Sequence, residues 1–425
     1  MNADLLVTNI GQLITCASPS GPKRGGAMRD VGTIENAAVA VVDGRFIAIG
    51  SSSAVTSKYE TNNFIDARGR VVCPGFVDPH THIVFAGERL DEFELKIKGT
   101  EYLEILAAGG GIISTVRSTR AASVEELVSL GLERLDKMLA CGTTTCEIKT
   151  GYGLDTATEL KMLEVIEELD SRHIIDIVPT FLAAHAVPPE FKDRGEDYVS
   201  LVCDEMLPAA WSWYKRSRFS GRTQFYVDVF CEKNAFDVEQ SQQVLKTGIG
   251  LGFAVKTHAD EFTNLGGSGL AIGMGAGSVD HLDAISDAEI KLLASSPTVG
   301  VVTPTVNFNF GSGEFADARR MIDAGCAVAL STDFNPGSAP CPSQPMAMSI
   351  ACRYQKLLPA EVFNASTINA AHAIGLGESV GSIEVGKVAD LLLLDCEDYR
   401  LVTYEFGGSL IKSVLKKGKL AYESK

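Results

Sequence analysis

Basic charge, tryptophan, histidine and long apolar runs are all in short supply in this chain, and each shortage excludes something. Only 38 Lys and Arg face 54 Asp and Glu, which leaves a formal net charge of −16. A polyanion binder needs the opposite sign, so no nucleic acid and no acidic membrane surface is expected as a partner. A small acidic substrate stays open, because one well-placed Arg would serve it. No run reaches the roughly 18 apolar residues of a membrane-spanning helix. The stretch VADLLLLDC from Val388 is broken by Asp390 and has strand length. The opening MNADLLVTNIGQLITC lacks the basic start and apolar core of a signal peptide. Ten cysteines are scattered between Cys16 and Cys396 without a CxxC pair. They read as small buried hydrophobes in a reducing compartment, so a cytoplasmic protein is expected and a cysteine-built metal site is not. No glycine-rich phosphate loop follows an early strand, and the triple glycine Gly109 to Gly111 is not of that kind.

What is present is ordinary globular material, 45% hydrophobic and 22% charged over 425 residues. That length accommodates an α/β barrel of about 250 residues plus a smaller unit. The first seventy residues are β-rich, with strands expected at 5–8, 38–42, 46–49 and 64–66, separated by turns such as Asp43-Gly44. The end returns to that style at 389–394, 413–415 and 420–422. Between them short apolar strands alternate with amphipathic helices, of which 124–139 is the clearest. Eight strands are expected, at 75–80, 143–148, 176–182, 225–230, 253–258, 278–281, 299–303 and 327–331. The expected fold class is α/β: a TIM-like (β/α)8 barrel over 71–375, with a small β-sandwich domain made by 1–70 and 376–425. A doubly wound open sheet is the alternative. Residues 209–223, AAWSWYKRSRFSGRT, hold both tryptophans and read as a surface loop before the fourth strand, or more sharply as a lid or an oligomer contact.

Seven histidines carry the chemical signal. His80, His82, His185, His258 and His281 fall at or just past the C-terminal ends of expected strands, the catalytic face of such a barrel. His173 and His372 read as structural. In PGFVDPHTH the strand period of two puts the His80 and His82 imidazoles on one face. His258 ends FAVKTH and Asp333 ends VALSTD, so three imidazoles and one carboxylate form a metal shell with room for a water. One divalent or transition metal is expected, and these donors suit Zn and Fe alike. Glu261, three residues after His258, can turn back toward the site to shuttle protons or hold a ring N–H. His281 is a candidate for proton transfer, and Asp333 could share that role. Arg89 offers the planar fork that carboxylates prefer.

At these residues the sequence resembles the amidohydrolase superfamily, through PGFVDPHTH, His258, His281, Asp333 and the closing GSIEVGKVADLLLLD. More narrowly it is similar to the imidazolonepropionase family, through FAGERLDEFELKIKG, GTTTCEIKTGYGL, AAHAVP, DVFCE, KTHADEF and STDFNPGS. The resemblance runs through nearly the whole chain. It implies a hydrolase of histidine degradation that opens 4-imidazolone-5-propanoate to N-formimidoyl-L-glutamate. It implies metal ligands at His80, His82, His258 and Asp333, and substrate contacts from Arg89, Tyr152, His185, Glu261, Asn335, Gly337 and Ser338. The superfamily's second-metal bridge, a modified Lys on the fourth strand, has no counterpart, since Cys231-Glu232 stand there, so one metal is implied. A small substrate with a carboxylate tail and a homodimer follow from the same resemblance. A purine or pyrimidine aminohydrolase shares HxH and HxxE and would differ by releasing ammonia.

Overall fold

The computed structural model describes residues 1–99 and 110–424, so Gly109 lies outside the described residues. The chain begins in a sheet. Strands β1 (Leu5–Ile14), β2 (Thr33–Val42) and β3 (Arg45–Ser51) form an antiparallel meander, and β4 (Phe64–Asp66) and β5 (Val71–Pro74) join β1 in parallel. Asp43 and Gly44 turn the β2–β3 hairpin with φ of 50° and 70°, the positive values a two-residue hairpin turn needs.

One residue beyond β5 the chain leaves this sheet for a second one. Gly75 makes the passage: its N–H donates to Asp390 O at 3.0 Å, and a Cβ there would collide with the Thr144 side chain. The strands β6 (Phe76–Asp78), β7 (Thr143–Lys149), β8 (Asp176–Ala184), β9 (Tyr226–Cys231), β10 (Ala254–Ala259), β11 (Ser278–His281), β12 (Val299–Val302) and β13 (Val328–Leu330) follow. They pair in parallel, each with the next, in a sheet of eight with helices between. The edges meet just beyond β6 and β13. Thr81 bridges to Phe334, His82 N donates to Phe334 O at 3.0 Å, and Ser331 Oγ donates to Asp78 Oδ1 at 2.6 Å. This is the expected TIM-like barrel. Its first strand stops at Asp78, short of the expected 80, because Pro79 has no N–H to continue a ladder. The helix Val124–Ala140 starts at Ser123, whose hydroxyl accepts from Glu126 N at 3.1 Å, and it buries Leu127, Leu135 and Met138 on the barrel.

The end of the chain rejoins the first sheet. β14 (Leu391–Leu394) pairs antiparallel with β5, and β15 (Ile411–Lys416) and β16 (Lys419–Glu423) extend the row to eight strands. Leu5, Val7, Leu13, Val39, Phe46, Leu391 and Leu415 form its own apolar cluster, so the two chain ends share one core.

The first part of the Trp-rich stretch, 209–214, corrects the expectation of a loop, and 215–223 keeps it. A π-helical turn, Val202–Met206, runs into the helix Leu207–Tyr214, and only the residues after it form turns before β9. Trp213 is buried, and Trp211 stacks on Tyr214 with ring centroids 5.1 Å apart and packs on Phe253 at 5.0 Å. Aromatic packing makes 209–214 helical, while the polar 215–223 keeps the expected loop. Phe225 and Phe253 precede β9 and β10, so this helix sits at the strands' N-terminal ends, opposite the face where the five histidines are expected, and is no lid over that face. None of the described helices is long and apolar enough to cross a membrane.

Candidate metal centre and active site

At the C-terminal ends of the strands four atoms able to ligate a metal converge. His80 Nε2 and His82 Nε2 are 3.2 Å apart, and His82 Nε2 and His258 Nε2 are 3.3 Å apart. Asp333 Oδ1 lies 3.5 Å from both His80 Nε2 and His82 Nε2. Ligands about 2.0–2.1 Å from a tetrahedral ion stand roughly 3.3 Å from one another, so these spacings suit a first-row transition ion. All four residues are buried, and Asp333 Oδ1 has no hydrogen-bond donor. Burial pushes the His80 and His82 imidazoles far down, so they are neutral and have lone pairs to give. Burial likewise pushes the Asp333 carboxyl up, a cost that a neighbouring cation would relieve.

Local backbone aims these groups. His80 and His82 follow β6, on either side of the Thr81 bridge that closes the barrel. Arg134 Nη1 donates to Ile83 O and Phe85 O, both at 2.8 Å, and so fixes the segment beyond them. His281 and Asp333 are held at φ of 85° and 48°, left-handed values that side-chain-bearing residues seldom adopt.

Beneath the four ligands lies a layer of charge that reading the sequence did not single out. His80 Nδ1 contacts Asp280 Oδ2 at 2.7 Å, and His258 Nδ1 lies 2.9 Å from Asp228 Oδ2. Lys149 Nζ contacts Asp228 Oδ2 at 2.8 Å and Glu147 Oε2 at 2.9 Å. Lys256 Nζ contacts the same Glu147 oxygen at 2.9 Å and donates to Pro79 O at 2.7 Å. The available signal was charge at period two inside apolar strands: Glu147 and Lys149 in β7, Lys256 and His258 in β10.

The remaining expected residues surround the mouth of the same site. His281 Nε2 is 3.9 Å from Glu261 Oε2, and its Nδ1 is 3.1 Å from Thr303 Oγ1. Burial and the neighbouring Asp333 push the Glu261 carboxyl well up. Glu232 accepts from Phe262 N at 2.9 Å and Thr263 N at 3.0 Å, which pins the loop that carries Glu261. His185 stacks on His82, with centroids 5.1 Å apart and planes 15° apart, and its Nδ1 donates to Gly151 O at 3.1 Å. Burial, then His258, brings the His185 imidazole down to about 3. The Tyr152 ring is 5.8 Å from His82, on a loop shaped by Glu159, which accepts from Gly153 N at 2.8 Å and Leu154 N at 2.9 Å. Asn335 organises the turn after Asp333: its Oδ1 accepts from Gly337 N and Ser338 N, both at 2.8 Å. Arg89 meets that turn, and a Cβ on Gly337 would collide with its guanidinium. Arg89 Nη2 also pairs with Glu92 Oε2 at 2.6 Å. His173, 3.2 Å from Asp136, and His372, packed against Gly377, stand apart from the cluster.

Two family models, both described as Amidohydrolase family, match residues 278–421 and 63–105, and with the barrel and its ligand cluster they define the class as amidohydrolase. The imidazolonepropionase of Chloroflexus aggregans is 53% identical over 418 residues, 98% of each chain, and that of Herpetosiphon aurantiacus is 51% identical over 99% of this chain and 97% of its own. The chain belongs to the imidazolonepropionase family. Among solved structures, Escherichia coli guanine deaminase aligns with a TM-score of 0.73 at 16% identity, over 99% of both chains. An adenosine deaminase from Xanthomonas campestris with bound zinc aligns at 0.71 and 19%, over 99% of this chain and 93% of that one. At such identities these two establish the fold alone.

Proposed function

We propose that this chain hydrolyses the ring C–N bond of 4-imidazolone-5-propanoate to N-formimidoyl-L-glutamate, the activity its family carries. One observation supports it above the others: His82 Nε2 stands 3.2–3.5 Å from His80 Nε2, His258 Nε2 and Asp333 Oδ1, and a guanidinium is seated on Gly337. His80, His82, His258 and Asp333 would hold one Zn or Fe ion per chain. Bound there, such an ion supplies Lewis acidity and makes hydroxide available near neutral pH.

The chain's own groups do the rest. Arg89 takes the propionate carboxylate in its fork, and the turn from Asn335 through Gly337 to Ser338 borders that end of the substrate. Tyr152 and His185 line the side next to His82. Glu261 faces the ring and accepts from a ring N–H. Water's oxygen bonds to the carbonyl carbon, the ring C–N bond breaks, and the departing nitrogen gains a proton. His281 Nε2 and the Asp333 carboxylate take the proton from water and return it to that nitrogen. The barrel at 71–375 is taken as the hydrolase unit and the two ends, 1–70 and 376–425, as its supporting domain. The same reading takes the enzyme to be a cytoplasmic homodimer acting on a free small molecule, with no nucleic-acid or membrane partner. The test follows consumption of imidazolonepropionate, formation of formimidoylglutamate and release of ammonia, before and after chelation. Formimidoylglutamate without ammonia, lost on metal removal and restored by Zn or Fe, is the expected result. Ammonia release would favour a deaminase, and full activity in metal-free protein would remove the ion from the mechanism.

A further inference from the structure

The layer of charge below the ligands has a specific arrangement. Asp228 and Asp280 lie on different strands, β9 and β11, and each reaches the Nδ1 of a different histidine. Asp228 holds its partner twice, because its Oδ1 also accepts from His258 N at 3.1 Å. Asp280 is itself oriented: its Oδ1 accepts from Ser278 Oγ at 2.5 Å, which leaves Oδ2 for His80. Lys149, fully buried, stands between the two carboxylates, 2.8 Å from Asp228 Oδ2 and 3.6 Å from Asp280 Oδ2. An unbroken arc of contacts therefore runs His258–Asp228–Lys149–Asp280–His80. The third histidine differs. Among the described residues no carboxylate pairs with His82 Nδ1, its one ion-pair contact being Nε2 to Asp333, and its ring is steadied by stacking on His185.

An imidazole whose Nδ1–H faces a carboxylate keeps its lone pair on Nε2, in a fixed direction, and is a stronger donor there. The Nε2 atoms are the ones that converge. We propose that Asp228 and Asp280 are positioning residues that fix the ligating tautomers of His258 and His80, and that Lys149, shared between them, couples the two ligands into one unit. The proposal rests on reading the four-residue cluster as a metal centre. Without Asp228, the Lys149 ammonium keeps Glu147 at 2.9 Å and Asp280 at 3.6 Å, and draws more charge from the Asp280–His80 pair. The second ligand is weakened before its own carboxylate is touched.

Zinc affinity and release, measured by competition with a chromogenic chelator on the full-length protein, test this without any turnover assay. Asp228→Asn and Asp280→Asn are near-isosteric. Each is expected to weaken zinc binding about 10–100-fold, with a change in the visible spectrum of the cobalt-loaded protein. The double variant is expected to lose clearly less than the product of the two. Wild-type zinc release in either single variant overturns the positioning role, and strictly multiplicative losses overturn the coupling through Lys149. Proton NMR of the cobalt-loaded wild type serves if a variant fails to fold. Two slowly exchanging, ion-shifted ring N–H signals, from His80 and His258, support the proposal, and their absence refutes it. A wild-type protein that binds neither zinc nor cobalt would instead remove the metal centre itself, and the proposal with it.

Discussion

The barrel interior is two materials stacked end to end. Its lower half, toward the N-terminal ends of the strands, is apolar: Val77, Val178, Tyr226, Val299, Val301, Ala327 and Ala329 pack there, plugged by Ala370, Ala371 and Ala373 of the helix Ile368–Ala373. Its upper half is ionic, built from Glu147, Lys149, Asp228, Lys256 and Asp280 beneath the histidines. Both halves are almost wholly dry. The change from one to the other takes a single step of two residues, Tyr226 to Asp228 on β9 and Ala254 to Lys256 on β10. Burial is thus common to both, and partners distinguish them. The lower half is satisfied by close packing. The upper half is satisfied only because each carboxylate meets a cation or an imidazole N–H.

That contrast can be broken from above. His258→Ala removes one corner of the ligand set, and activity should fall on the order of 10³-fold or more, with metal loss by elemental analysis and an intact barrel by circular dichroism. His281→Ala leaves all four ligands in place. It should keep the metal, lower kcat by about 10²–10⁴-fold and erase the acid-side limb of the pH–rate profile. That limb belongs below the ordinary histidine range, because burial, then His258, lowers the His281 imidazole, and a base works only above its own pKa. An unaltered profile in this variant would assign the proton transfer to Asp333 or Glu261. Arg89→Met should cost about 2–5 kcal/mol in kcat/KM for the carboxylate-bearing substrate and almost nothing for an analogue without the carboxylate. Equal losses on both would make Arg89 a structural partner of Glu92.

The opposite half should respond in a different currency. Val301→Ala, in the apolar plug, is expected to cost about 1–3 kcal/mol of stability by denaturant unfolding and to leave kcat/KM near wild type. A large kcat/KM loss there would mean that the two halves are one mechanical unit.

The sequence showed the upper half unevenly. His80, His82, His258, His281 and Asp333 could be picked out because each ends an apolar run, and a barrel gathers strand ends on one face. Asp228, Asp280 and the two lysines could not, because their meaning lies in pairing with residues from 30 to 200 positions away in sequence, which depends on register. Glu159 and Glu232 were hidden for a related reason: each acts on backbone N–H groups of a loop, and a sequence does not display those. The helix Leu207–Tyr214 was misread as a loop because its tryptophans find their aromatic neighbours only after Phe225 and Phe253 have folded in.

The barrel's seam has a consequence for how the enzyme comes into being. Asp78 and His82, near the beginning of the barrel, bond to Ser331, Thr332 and Phe334 near its end, about 250 residues later. His80 and His82 sit on one lip of that seam and Asp333 on the other. Closing the barrel and completing the ligand set are therefore a single event, and a late one, since contacts between distant segments carry the heaviest loop-closure cost. A partly refolded chain with seven strands docked has ordered helices, yet lacks a corner of the cluster and the share of the lower core that Ala327 and Ala329 supply. Recovery of activity after dilution from denaturant should lag behind recovery of helical ellipticity, with the return of the last strand as the step between them.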